Sequence, residues 1–115
     1  MRDAVGRAGE DAALARYRSL GYRLVARNWR CDLGEIDLIL ARDDLLVVCE
    51  VKARRGTTFG GPHDAVTATK QRKLRLLAEA FLRTLRPRPS EVRFDVASVS
   101  LTGERSHVHL FQDAF

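Results

Sequence analysis

The chain has 115 residues, of which 45% are hydrophobic, and carries a formal net charge of +5. That length and apolar content suit one compact domain over 1–115 and argue against disorder. No apolar run approaches the roughly 18 residues of a membrane span, the N-terminus MRDAVGRAGED has no apolar signal region, and Cys31 and Cys49 are too few and too far apart for a disulfide framework or a zinc site; two reduced thiols in a cytoplasmic protein are expected.

Residues 3–20 read as a helix, capped by Asp3 and followed by Gly21. Ala13, Leu14, Tyr17 and Leu20 form an apolar stripe at helical spacing. Glu10 falls on the same stripe. A carboxylate on a buried face is costly unless it has a partner, so Glu10 either finds one or reaches solvent at the stripe's edge. Tyr22–Cys31 reads as a first strand with broken alternation, with Trp29 covering one end of the core.

Asp32-Leu33-Gly34 turns the chain into a second strand, Glu35–Ala41. A third strand, Leu45–Ala53, follows the polar break Arg42-Asp43-Asp44. If the turn is centred on Asp43-Asp44, residues whose numbers add to 87 pair. Alternation places Glu35 and Asp37 on one face, and Glu50 and Lys52 on one face. Asp37 then opposes Glu50, and Glu35 opposes Lys52, with Cβ atoms about 4.5–5.5 Å apart. The apolar centre LLVVCEV predicts an interior strand. Glu50 and Lys52 break its pattern, as functional residues do.

Arg54–Pro62 is loop-like by composition, rich in glycine and threonine; its Gly60-Gly61 lacks the surroundings of a nucleotide-binding loop. A second helix, capped by Thr67 or Thr69, runs to about Leu85. Its apolar face is Leu74, Leu77, Ala78, Phe81, Leu82 and Leu85. Cations crowd its first turns against the helix dipole, which an anion at that end would offset. Arg86-Pro87-Arg88-Pro89 is a linking turn. Val92–Leu101 and His107–Phe111 are the fourth and fifth strands, joined by Thr102-Gly103-Glu104. The order αβββαββ predicts an α/β fold with helices flanking a mixed five-stranded sheet.

Charge placement matters more than its total. Lys52 to Arg75 holds seven cations (Lys52, Arg54, Arg55, Lys70, Arg72, Lys73, Arg75) and one anion, Asp64. The segment fits either a polyanionic partner such as nucleic acid or a solvated arginine-rich face.

Two opposed carboxylates repel, and a cation between them removes that cost. Hard cations such as Mg²⁺ or Mn²⁺ take oxygen ligands, which Asp37, Glu50 and the Val51 backbone carbonyl would supply. Lys52 would point at the same place and orient a water or neutralise developing charge. Glu10 would be a further metal or water ligand. The simpler alternative is a set of cross-strand ion pairs, Glu35–Lys52 first among them. Asp95 either joins the acids or edges its strand. His107 and His109 share a strand face but lack a third zinc ligand nearby. Cys49 faces away from Glu50 and belongs to the core.

The ordered segments GEDAALARY (9–17), ARNWRCDLGEIDLI (26–39), VCEVKARR (48–55), FGGPHDAVTATKQRKL (59–74), RFDV (94–97) and DAF (113–115) resemble the YraN-like family of small bacterial proteins. That family is similar to Holliday-junction resolvases of the PD-(D/E)xK nuclease superfamily. The resemblance implies a restriction-endonuclease-like core and Mg²⁺-dependent phosphodiester hydrolysis in branched, single-stranded or irregular DNA. It implies that Glu10, Asp37, Glu50 and Lys52 are catalytic. Ile36 stands where the superfamily's proline would be. Gln71 matches a helix glutamine of some relatives and, with Arg54, Arg55, Lys70, Arg72, Lys73 and Arg75, is expected to bind nucleic acid. A homodimer is expected by analogy, since symmetric junction cutting needs two sites. The alternative is a non-catalytic nucleic-acid-binding or accessory protein that keeps the fold.

Overall fold

The computed structural model describes residues 3–56 and 66–115. Most of the predicted glycine- and threonine-rich loop, with Gly60-Gly61 and Asp64, lies outside the described residues. The element order is α1 (Ala4–Ser19), β1 (Arg23–Cys31), β2 (Gly34–Arg42), β3 (Leu45–Arg55), α2 (Ala68–Leu82), β4 (Glu91–Thr102) and β5 (Arg105–Phe111). This is the predicted αβββαββ order, an α/β fold with a mixed five-stranded sheet and two helices. No helix among the described residues is long and apolar enough to cross a membrane.

The helix ends follow local chemistry. Asp3 caps α1 by accepting the Gly6 N–H at 2.7 Å, and Gly21 adopts φ +91° just past its end. Thr67 caps α2 by accepting the Lys70 N–H at 3.2 Å. α2 stops at Leu82, short of the expected Leu85. There the Thr84 hydroxyl donates to the Phe81 carbonyl at 2.7 Å, a local alternative to continued helix.

The sheet order is β1-β2-β3-β4-β5, with β3 and β4 parallel and every other pair antiparallel. β3 is the interior strand its apolar centre predicts, and Val47, Val48 and Cys49 are buried. α2 carries the chain from β3 to β4, as a parallel pair requires. The two helices cover opposite faces. Ala13, Leu14 and Tyr17 of α1 pack with Leu38, Leu40, Val47, Cys49, Ala97 and Val99. Leu74, Leu77, Phe81 and Leu82 of α2 pack with Ile36, Ile39, Leu46, Val48 and Phe94. Trp29 joins that second cluster, edge-on to Phe81 with ring centroids 5.2 Å apart.

α1 lies against β3 because Gly9 has no side chain. A Cβ there would collide with the Ala53 Cβ. Asp95 locks the same helix from the other side. It is fully buried and accepts from the Tyr17 hydroxyl at 2.7 Å, from the Arg93 guanidinium at 2.8 Å through two nitrogens, and from the Asp113 N–H at 3.0 Å. Arg93 also donates to the Tyr22 hydroxyl at 3.0 Å. Asp95 thus neither edges its strand nor joins the other acids; it ties α1, β4 and the C-terminal segment together.

Gly9→Ala should lower stability by about 1–3 kcal/mol through overpacking, read as an earlier urea midpoint with unchanged slope. Asp95→Ala strands the Arg93 guanidinium and the Tyr17 hydroxyl, and should cost about 3–5 kcal/mol in the same measurement.

Candidate functional site

The β2–β3 hairpin turns at Asp43-Asp44, and Asp43 takes φ +54°, a left-handed conformation that aspartate tolerates better than most residues. The register is the expected one: Arg42↔Leu45 through Leu38↔Cys49, each pair adding to 87. Past Leu38 the main chain gives way to a side chain. Asp37 Oδ2 accepts the Val51 N–H at 2.8 Å.

Alternation fails at this point. Ile36 packs in the α2 cluster although Leu38 packs in the α1 cluster, so β2 rotates at Asp37. In β1, Asn28 stands opposite Asp37, between the pairs Arg27↔Leu38 and Trp29↔Ile36, and has φ +51°. A second irregularity falls between Leu24 and Ala26. The expectation that Glu35 and Asp37 share a face rested on strict alternation and fails with it. Glu35 instead faces Arg30, its β1 partner, with Oε2 3.3 Å from Nε.

Asp37 and Glu50 do meet. Their carboxyls share a hydrogen bond, and burial, then Asp37, push Glu50 up to about 7. Lys70 and Lys52 oppose that rise by their charge. Lys70 Nζ is 3.3 Å from Glu50 Oε2. The anion expected to offset the cations in the first turns of α2 is therefore Glu50 itself. Lys52 follows Glu50 along β3, near enough to act on its ionisation. The site is a pair of adjacent carboxyls, Asp37 and Glu50, flanked by two ammonium groups.

Glu10 takes a different position. Its side chain is only 1% exposed. Oε1 accepts from Arg27 Nε at 3.2 Å and Oε2 from Asn28 Nδ2 at 3.0 Å. The partner that its burial demands is thus on β1, and Arg27 also reaches Asp11 at 2.8 Å. Among the described residues no three His, Cys, Asp or Glu side chains form a group able to hold a metal. The three predicted acids accordingly do not build a three-carboxylate centre. Asp37 and Glu50 form a pair, and Glu10 is held by Arg27 and Asn28 of β1, at 3.2 and 3.0 Å. Two adjacent oxygen donors that repel when both ionised still suit a hard divalent cation, with the Val51 carbonyl on the adjoining residue.

The predicted cations divide. Arg54 continues the row Glu50, Lys52 along β3. Arg55 turns to the other side, into a groove with Ala8, Asp11, Leu101 and Glu104. Gln71 is engaged locally, its Nε2 donating to the Val66 carbonyl at 2.9 Å. Arg72 is exposed and reaches Thr69 at 3.4 Å. Lys73 extends over the β1–β2 turn, where its Cε would lie 3.0 Å from a Cβ on Gly34. Arg75 is held by aromatic rings, its guanidinium 4.7 Å from the Phe94 centroid and 5.6 Å from that of Phe115. Cation–π packing is thus the role of Arg75 that the structure displays.

Asn28 and Arg27 were not singled out as site residues in the sequence. Asn28 had one signal, a residue type that tolerates φ > 0 inside a strand of broken alternation. Cys49 is core, as expected; burial pushes its thiol up. Both cysteines are free. His109 stacks on Phe111 with centroids 4.3 Å apart.

The fold and site define a class: a small α/β protein whose central hairpin presents an adjacent acid pair to lysines from β3 and α2. Residues 9–99 match the family described as "Uncharacterised protein family UPF0102". The chain belongs to this YraN-like family. It is 45% identical over 113 residues to a UPF0102 protein of Rhodococcus jostii, covering 97% of this chain and 96% of the relative. A UPF0102 protein of Symbiobacterium thermophilum is 47% identical over 116 residues, covering 100% and 98%. One of Caldicellulosiruptor saccharolyticus is 38% identical over 113 residues, covering 96% of each.

The Glu50 shift gives a pH dependence. Its folded pKa of about 7 lies above the ordinary 4.5, so folding takes up a proton between those values. The group's contribution to stability is complete below about pH 4.5 and declines as pH rises to about 7. In a chelator-containing buffer, Glu50→Gln should remove that decline. The variant should be about 1–3 kcal/mol more stable relative to the parent at pH 8 than at pH 4.5, measured by urea titration at both values.

Proposed function

We propose that the protein is a Mg²⁺- or Mn²⁺-dependent endonuclease of the restriction-endonuclease-like, PD-(D/E)xK type, hydrolysing phosphodiester bonds in branched, single-stranded or irregular DNA. The observation that carries this reading is the hydrogen-bonded Asp37–Glu50 pair with Lys52 next on the same strand. Two oxygen donors for a cation with an ammonium beside them are groups that can support phosphodiester hydrolysis. A cation held by Asp37, Glu50 and the Val51 carbonyl would supply Lewis-acid stabilisation of a phosphoryl oxygen and lower the pKa of a bound water.

The chain's own groups do the rest. Asp37 is fixed by the Val51 N–H, so its carboxylate is oriented before anything binds. Lys52 places an ammonium beside the scissile phosphate, where negative charge grows in the transition state. Arg54 and Lys70 extend positive charge from the pair and receive flanking phosphates. Glu10, positioned by Arg27 and Asn28, borders the site as a water or metal neighbour. The positive charge that remains with the pair, on Lys52 and Lys70, favours a polyanionic substrate. On this reading the protein acts in the cytoplasm, and two copies would serve a symmetric junction.

One observation favours the rival, a nucleic-acid-binding module without cleavage: Glu10 is engaged by Arg27 and Asn28. Junction, flap and single-stranded DNA incubated with Mg²⁺ or Mn²⁺ separate the two. Cleavage is expected from the unmodified protein. Glu50→Ala and Lys52→Ala should each lower it by about 10²-fold or more, while binding measured by anisotropy persists. Binding should weaken steeply as salt rises from 50 to 200 mM, as phosphate contacts do. Binding by all three proteins with no cleavage by the unmodified one would leave the module.

A further inference from the structure

We propose that Lys70 is a tethered competitor for the divalent cation, holding Glu50 until a nucleic-acid phosphate draws the lysine away. The proposal rests on the metal-binding part of the function proposed above. Its basis is the ion pair between α2 and β3. Lys70 Nζ lies 3.3 Å from Glu50 Oε2, with the Lys70 side chain 43% exposed and that of Glu50 11% exposed. The acid is enclosed and the base is not. Lys70 can swing into solvent on its flexible stem while Glu50 stays in place.

The groups facing Glu50 are Asp37 from β2, Lys52 from β3 and Lys70 from α2. Lys52 shares a strand with Glu50 and moves with it. Lys70 comes from a different element and is the removable cation. It also sits in the first turn of α2, next to the Thr67 cap. Positive charge there is unfavourable against the helix dipole, and Glu50 offsets it. A metal ion on Glu50 takes that offset away. Lys70 is then an ammonium at a helix N-terminus with no counter-charge, which is a phosphate-binding arrangement. The two events reinforce one another. A phosphate on Lys70 frees Glu50 for the cation, and a cation on Glu50 frees Lys70 for the phosphate. Such coupling is reciprocal.

The test is a Mn²⁺ titration followed by electron paramagnetic resonance on the unmodified protein, Lys70→Gln and Arg72→Gln. Arg72→Gln removes a neighbouring cation that does not hold Glu50, and so corrects for general charge. Lys70→Gln is expected to bind Mn²⁺ roughly three- to thirty-fold more tightly than the unmodified protein, with Arg72→Gln within about twofold. Mn²⁺ should also tighten binding of a labelled phosphorothioate-linked single strand to the unmodified protein and to Arg72→Gln, and leave Lys70→Gln unchanged. Equal Mn²⁺ affinities in all three proteins would overturn the competitor role while leaving the metal site standing. Equal tightening of the single strand in all three would overturn its release to phosphate. Failure of all three to bind Mn²⁺ would overturn the metal site and this proposal together.

Discussion

A hydrogen bond from the Val51 N–H to the Asp37 carboxylate joins β2 and β3 where their main-chain pairing ends. It stands where a strand would ordinarily bond through its main chain. A side chain fills the place, so β2 can rotate at Asp37 without leaving a buried N–H unsatisfied. The rotation lets Ile36 enter the α2 cluster while Leu38 stays in the α1 cluster. It also brings Asp37 against Glu50. The unusual feature of the site and the continuity of both cores thus come from the same few atoms.

Other contacts fix α1 on the same sheet. Gly9 lets α1 approach β3, and Tyr17 and Arg93 converge on Asp95 to hold the helix in position. The Asp95 network is fully partnered, which makes a buried carboxylate tolerable. The Asp37–Glu50 pair is the contrast. Burial and Asp37 push Glu50 toward protonation, and two lysines pull it the other way. One acid cluster in this fold is closed and structural. The other is left in electrostatic tension, the condition in which a group responds to what binds it.

Much of this was legible in the chain. The register from Arg42↔Leu45 to Leu38↔Cys49 follows once the turn is centred on Asp43-Asp44. The interior position of β3 followed from its nearly continuous apolar run and the α1 cap from Asp3, while the α2 cap was narrowed to Thr67 or Thr69 and is Thr67. Glu10 announced itself as a carboxylate on an apolar stripe, but its partners could not be named, since they depend on how α1 crosses β1. Periodicity misassigned Glu35, because it has no means to register a rotation at Asp37 paired with a left-handed Asn28. The cations were counted correctly and placed too uniformly. Arg54 and Arg55 are neighbours in sequence and diverge by strand alternation, and Arg75 is taken by Phe94 and Phe115.

The parallel pairing of β3 with β4 bears on the order of assembly. The β2–β3 hairpin closes through a two-residue turn, whereas β3 and β4 meet only after the chain from Arg55 to Glu91 has folded back. Local closure is fast and long-range closure slow. On that rule the hairpin carrying Asp37 and Glu50 is expected to close before the crossover that brings Lys70. Lys70 belongs to the crossover helix between β3 and β4. The acid pair is thus built into a local hairpin, whereas the lysine paired with it comes from the element that joins the two parallel strands.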